Sequence, residues 1–237
     1  CNKMRMIKFL LLAILLAPFV AHSSGQEVKL DKAPIDRADK ESLQRGAKGF
    51  VEYCLTCHGA NFMRFNRHHD IGMSEDDIRA DLIHTGQKTG DLMEAAMRKK
   101  EAEGWFGVVP PDLSVIARAR GADWLYTYLR TFYQDTSTYS GWNNLIFDKV
   151  AMPHVLHHLQ GWQVLEPGTG NLVQTKPGTM TKEEYDRFVA DLVNYMVYLG
   201  EPHAPYRREL GITVLLFLFG MLGLTYLLKK EHWRDIH

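Results

Sequence analysis

The chain has 237 residues, with 28 Lys+Arg against 28 Asp+Glu, 46% hydrophobic and 11% aromatic residues, and three cysteines. That length suggests one domain with appendages, and so much apolar and aromatic content excludes a disordered chain. The even charge balance gives no mark of a nucleic-acid binder, and so few cysteines exclude a disulfide-built scaffold.

The charge is unevenly placed. The first 23 residues carry Lys3, Arg5 and Lys8 and no acid. The last stretch, 210–237, carries three basic and two acidic residues. That leaves 22 basic and 26 acidic residues in 24–209, a net −4. Behind the basic start, Phe9–Ala21 is apolar but too short for a comfortable membrane crossing. Ala21-His22-Ser23 then places small residues at a cleavage site. Residues 1–23 are therefore expected to be a secretory signal peptide, with a retained N-terminal anchor as the rival. Cys1 stands where a start methionine would; Met4 and Met6 are the candidate starts, which would leave Cys1 without a function.

The next part, 24–209, reads as an exported, mainly helical domain. Residues 40–53 have helical composition and run into Cys54. Ser74-Glu75-Asp76-Asp77 has capping-box form and opens a helix toward Thr85. Met93 and Met97 fall in a segment of helical character. Residues 104–111 and 134–180 are rich in Gly, Pro, Asn, Ser and Thr and read as long loops. A small hairpin is expected at Gln163–Leu165 and Leu172–Gln174. Asp123–Phe132 is a compact aromatic helix. Residues 182–199 form the clearest helix. Thr181 and Glu184 make its capping box, Tyr185, Phe188, Val189, Leu192, Val193, Met196 and Leu199 recur at helical spacing, and Gly200 and Pro202 end it. Loops this long in a compact domain usually serve a function, and a large prosthetic group would give them something to wrap.

Leu210–Leu228 follows, nineteen residues without a charge. As a helix it rises about 28 Å, enough for one crossing. Arg207 and Arg208 precede it and Lys229, Lys230 and Arg234 follow, so flanking charge does not orient it. The signal segment does, and it leaves 229–237 as a cytoplasmic tail.

The chemistry concentrates at Cys54-Leu55-Thr56-Cys57-His58. C-x-x-C-H is the pattern of c-type haem attachment. Two cysteines one helical turn apart present both sulfurs to one side, where each can form a thioether to a haem vinyl. His58 is then aimed at the iron. A structural zinc site would need further ligand pairs. A redox dithiol would need a βαβ setting, and a plain disulfide would not need His58. The second axial ligand is open among Met63, Met73, Met93, Met97, Met152, Met180 and Met196. Met196 belongs to the apolar stripe of 182–199. Met152 sits in a long loop directly before Pro153 and is free to swing over a haem, with His154, His157 and His158 as rivals. His68 and His69 read as surface polar residues. Pro110-Pro111-Asp112-Leu113 is a rigid turn suited to walling a haem crevice. Arg118 and Arg120 suit haem propionates. Trp105, Trp124, Tyr126, Tyr128 and Trp142 read as core or haem packing. No nucleophile–base pair suggests an enzyme of its own.

Taken together, these residues resemble the cytochrome c1 family. The resemblance rests on Cys54–His58, Arg64-Phe65-Asn66-Arg67, Pro110-Pro111-Asp112-Leu113-Ser114 and Arg120-Gly121 with Asp123-Trp124 and Tyr126. It continues through Tyr139, Trp142-Asn143-Asn144, Phe147 and Met152-Pro153-His154-Val155 to the C-terminal apolar helix. It implies a cytochrome c-type haem domain with long loops and one C-terminal transmembrane helix, carrying one covalent haem c. It implies Cys54 and Cys57 as the thioether pair, His58 and Met152 as the axial ligands, Arg120 as a propionate contact, and Tyr126 and Pro111 beside the haem. It implies a bacterial inner-membrane subunit of the quinol–cytochrome c reductase (bc1) complex, its haem domain in the periplasm. Its partners would be cytochrome b, a Rieske iron–sulfur protein and a soluble periplasmic cytochrome c. Rival readings are an anchored mono-haem subunit of a terminal oxidase and a haem peroxidase-like enzyme.

Overall fold

The computed structural model of the chain describes residues 29–234. The expected signal segment, 1–23, and Cys1 lie outside the described residues. In chain order the elements are α1 (Lys40–Tyr53), β1 (Ala60–Arg64), a 3-10 helix (Phe65–Ile71), α2 (Glu75–Asp81), β2 (Leu92–Met93), α3 (Lys99–Phe106), α4 (Ile116–Arg120) and α5 (Ala122–Arg130). There follow β3 (Phe132–Gln134), β4 (Trp142–Asn144), α6 (His157–Gln160), β5 (Gly161–Leu165), β6 (Leu172–Pro177), α7 (Lys182–Gly200) and α8 (Ala204–His232). The strands form three separate two-stranded antiparallel pairs, β1–β2, β3–β4 and β5–β6.

The centre of the domain is α1 packed on α7. Both helices start with a side-chain cap, which satisfies amide groups that lack a partner in the first turn. Asp39 accepts from the Ser42 amide at 3.0 Å. Thr181 and Glu184 exchange bonds with each other's amides at 3.3 and 2.8 Å. Gly46 and Gly49 let the two helices touch. A Cβ on Gly46 would lie 2.1 Å from the Asp191 carbonyl oxygen, and one on Gly49 would lie 2.9 Å from the Phe188 ring. Leu43, Ala47 and Phe50 of α1 and Val189, Leu192, Val193 and Met196 of α7 fill the contact and are buried. Removing the Phe50 ring would cost about 3–5 kcal/mol, the usual range for a large core aromatic. Arg45 closes the edge with a two-pronged ion pair to Asp191, at 2.7 and 3.1 Å.

Several expectations shift by one element. The helix opened by Ser74 ends at Asp81 rather than Thr85, because the next residues belong to the bends that lead into β2. Met93 lies in β2 and Met97 in a loop, and the helix starts at Lys99 and covers 104–106 as well. The aromatic helix ends at Arg130, and Phe132 turns into β3. The expected hairpin is present and longer than its hydrophobic alternation marked, Gly161 pairing with Pro177.

His68, expected at the surface, is fully buried. Its Nδ1 is 2.7 Å from the Phe65 carbonyl oxygen and its Nε2 2.7 Å from the Tyr195 hydroxyl. A carbonyl only accepts, so Nδ1 carries the hydrogen and Nε2 accepts from the tyrosine. Burial drives its pKa down to about 4, which keeps it neutral. Trp105, expected to pack in the core or against a haem, is 56% exposed on α3 and so is not part of the core.

Beyond Gly200 a short turn leads into α8. Residues Tyr206–His232 are long and apolar enough to cross a membrane, with a mean hydropathy of 2.2 and none of that window covered by the rest of the chain. The expected span, 210–228, lies inside this helix. A helix apolar on every side and covered by nothing in its own chain suits lipid.

Candidate functional site

The site starts where α1 ends. The Phe50 carbonyl receives the amides of both Cys54 and Leu55, and the Cys54 carbonyl receives those of Cys57 (3.1 Å) and His58 (2.8 Å). One extra turn is thus added, with Cys54 and Cys57 three residues apart and so on one side. Both are half-buried free thiols. Burial, reinforced by Cys57, pushes the Cys54 thiol up to about 12, and burial also raises Cys57. The Leu55 side chain between them is buried and anchors the turn to the core. The Met97 amide donates to the Thr56 carbonyl at 2.9 Å, so the 94–98 loop backs the turn from outside.

His58 is oriented by the Pro110-Pro111-Asp112-Leu113-Ser114 segment. Its Nδ1 lies 2.8 Å from the Pro111 carbonyl oxygen. A carbonyl cannot donate, so Nδ1 carries the hydrogen and the Nε2 lone pair faces outward. Burial lowers the His58 pKa against the opposing pull of the Pro111 carbonyl and Asp112, so the ring is neutral and able to ligate. The segment is itself fastened to the 59–62 stretch by three bonds and braced by one of its own. Leu113 donates to the Gly59 carbonyl at 2.8 Å, the Asp112 carboxylate accepts from the amides of Asn61 and Ser114 at 2.8 Å each, and Ser114 Oγ accepts from Phe62 at 3.0 Å. Proline fixes the backbone of the segment before any of these bonds form.

A second cluster gathers on α5 and the loop after β4. The Tyr128 hydroxyl donates to Met152 Sδ at 3.4 Å. Trp124 stacks on Tyr128 with centroids 4.8 Å apart, Phe132 meets Tyr128 edge-on at 4.9 Å, and the Arg120 guanidinium lies 5.0 Å over Trp124 and 5.7 Å from Phe147. Among the described residues Arg120 has no carboxylate partner. It is exposed and available to an anionic group. Met152 is half-buried, between the buried Val150 and His154.

Tyr126 does not join this cluster. Residues two apart on a helix point about 200° apart, and Tyr126 lies under the Arg130 guanidinium, 4.4 Å from its ring centroid. Arg130 pairs there with Asp186 of α7 at 2.6 and 3.0 Å and with Asp31 at 2.5 Å. Tyr128, read from the sequence as core or haem packing, is the aromatic that bonds Met152, and Trp124, read the same way, stacks on it. The rival histidines are differently placed. His154 is buried flat on Phe132 at 4.9 Å, burial pushes its pKa down to about 3, and its Nε2 has no hydrogen-bond partner. His157 Nδ1 donates to the His154 carbonyl at 2.9 Å, and His158 packs on Tyr53. Met63, Met73, Met93 and Met196 are buried in the core. Arg118 packs against Gly200. Among the described residues no three His, Cys, Asp or Glu side chains converge as a metal cluster would require.

The donor set at Cys54–His58 fits a c-type haem. Two unpaired thiols lie on one turn, followed by a neutral imidazole whose tautomer is fixed with Nε2 free. The model of the Cytochrome C1 family matches residues 31–236. Over 235 residues the chain is 45% identical to cytochrome c1 of Allochromatium vinosum, covering 94% of this chain and 96% of that one. It is 28% identical over 234 residues to cytochrome c1 of Rhodospirillum rubrum, covering 86% and 85%. A chain of a solved structure described as a hyperthermophilic respiratory Complex III covers 100% of this chain, and this chain 98% of it, with a TM-score of 0.47 and 16% identity.

Proposed function

The chain belongs to the cytochrome c1 family, and from that premise we propose that it relays single electrons from a Rieske iron–sulfur protein to a soluble cytochrome c. Family membership makes it a haem protein of respiratory electron transport. In the proposed role it is the haem-bearing subunit of a quinol–cytochrome c reductase, anchored beside cytochrome b by α8. Its haem domain faces the periplasm and its C-terminus the cytoplasm.

Cys54 and Cys57 would hold one haem c by thioethers, and His58 and Met152 would be its axial ligands. The bound haem supplies a one-electron ferric/ferrous couple, whose potential methionine–histidine ligation raises. Pro111 keeps the hydrogen of His58 on Nδ1, which makes Nε2 the ligating atom and the imidazole a stronger donor. Tyr128 keeps the Met152 sulfur from turning away. Arg120, without a carboxylate partner among the described residues, would meet a propionate. Tyr126 supports α5 from behind through Arg130. The net −4 of residues 24–209 would attract a basic acceptor.

The observation that carries the reading is the 2.8 Å bond from His58 to the Pro111 carbonyl. A disulfide-forming CxxC has no use for a histidine fixed in this tautomer beside it, and a structural zinc site needs four converging ligands, whereas among the described residues no three His, Cys, Asp or Glu side chains converge. Membranes containing the whole complex test the relay. Added quinol should reduce a c-type haem, that haem should then reduce soluble cytochrome c, and the second step should slow as salt is raised. Removing the Rieske protein should stop c-haem reduction while b-type haems still respond. If the c-haem is reduced without the Rieske protein, the proposed donor is wrong.

A further inference from the structure

Asn143 is buried, lies nine residues before Met152 and touches no part of the proposed haem ligand set. Its side chain uses every hydrogen-bonding position it has. Oδ1 accepts from the amides of Asn144 and Lys149, both at 2.9 Å. Nδ2 donates to Asp135 Oδ2 and Asp148 Oδ1, both at 3.0 Å. The two amide donors fix which end is oxygen, and the two carboxylates fix which is nitrogen. Two of the four bonds reach forward into the loop that ends at Met152. One of them holds Lys149, the only described non-glycine residue at positive φ, at 55°. A side chain with a Cβ adopts that conformation only when its surroundings impose it. Here the imposing contact is the bond from its own amide to Asn143. Asn144, on the opposite face of β4, ties the same strand to the Tyr128 carbonyl at 2.8 Å.

Resting on the assignment of Met152 as axial ligand, we propose that Asn143 is the positioning residue for that ligand. It knots the 145–151 loop into the one conformation that presents the Met152 sulfur. Two residues separate Lys149 from Met152, and one of them, Val150, is buried. The backbone direction set at Lys149 is therefore passed on with little slack. Without the knot, Lys149 relaxes to negative φ, Asp135 and Asp148 repel one another, and the loop swings the sulfur off the iron.

The test uses the full-length haem-loaded chain in detergent and three readouts that do not depend on turnover. These are the ferric sulfur-to-iron charge-transfer absorption, carbon monoxide binding to the ferrous form, and far-UV circular dichroism. Asn143→Ala should keep its covalent haem and its helical signal, lose the charge-transfer absorption and bind carbon monoxide. Two lost loop bonds, at about fivefold each, shift the ratio of attached to detached methionine by roughly 25-fold. Asp148→Ala, at an exposed residue, should shift it about fivefold. Lys149→Gly added to Asn143→Ala should restore part of the absorption, because glycine takes positive φ without being held there. A folded Asn143→Ala that keeps the absorption and refuses carbon monoxide overturns the proposal. If that variant does not accumulate, Asp148→Ala decides by the same two readouts, and wild-type behaviour overturns it. Met152→Leu separates the two readings. If it too keeps the absorption, the ligand assignment is wrong and this inference falls with it; if it loses the absorption while the Asn143 and Asp148 variants do not, only this inference fails.

Discussion

Replacing Tyr128 by phenylalanine tests how far the chain itself tunes its proposed haem. The hydroxyl is 3.4 Å from Met152 Sδ. A thioether has two lone pairs, so a sulfur that gives one to iron still accepts a hydrogen bond with the other. That bond draws electron density from the ligand and disfavours the ferric state more than the ferrous. A weak bond to sulfur contributes about 0.5–1 kcal/mol net. At 59 mV per tenfold change in a one-electron couple, this sets a ceiling of about 20–40 mV. Tyr128→Phe should lower the midpoint potential by an amount within that range. The ring should stay in place, because Trp124 and Phe132 hold it at 4.8 and 4.9 Å. Burial raises the phenol pKa, so the hydroxyl remains a donor and the difference should be constant up to about pH 9. The assay is a spectroelectrochemical titration of both proteins. An unchanged or higher potential in the variant, or a difference that disappears on going from neutral to mildly alkaline pH, would refute the reasoning.

Met152→Leu should preserve the fold, since the volume is nearly conserved, and should lower the potential by more than Tyr128→Phe does. It should also open the iron to carbon monoxide unless His154, whose Nε2 has no partner, moves in; magnetic circular dichroism distinguishes the two outcomes. Asp186→Asn should cost about 2 kcal/mol at neutral pH by leaving the half-buried Arg130 with Asp31 as its one described carboxylate partner. Burial pushes the Asp186 pKa up, but hydrogen bonds from Arg130 and Lys182 outweigh it and the net shift is down. The stabilisation is therefore fully present above about pH 3.9, the ordinary aspartate value, and is lost as pH falls through the lower folded value. Thermal melts of wild type and variant should converge only in acid. Ending the chain at Glu209 should release a soluble domain with an unchanged haem spectrum, because the rest of the chain covers none of the apolar window of α8. If the shortened protein resists a salt wash from membranes, residues 1–23 are a retained anchor.

What could be read in the sequence was whatever depends on spacing along the chain. CxxCH, the Thr181–Glu184 capping box, the apolar stripe of α7 and the C-terminal apolar run are local patterns, and each is found where its spacing put it. What could not be read depends on which face of an element meets which neighbour. His68 looks polar in sequence, yet the Phe65 carbonyl and the Tyr195 hydroxyl satisfy both its nitrogens inside the core. Trp105 reads in sequence as core or haem packing, and α3 turns it away from the core. Tyr126 and Tyr128 differ by two positions, so one faces Arg130 and the other Met152, and only packing decides which is which. Asn143 counted in the sequence only as part of the Trp142-Asn143-Asn144 resemblance, and its bonding could not be read there, because its four partners come from three separate stretches of loop and strand.

Every assignment at the site depends on the covalent hold of Cys54 and Cys57 on a haem. It is tested most directly by extracting the purified chain with acidified acetone and staining a denaturing gel for haem. The stain should stay with the polypeptide in the wild type and be lost from a Cys54→Ala, Cys57→Ala double variant. Haem that extracts freely from the wild-type chain would contradict it.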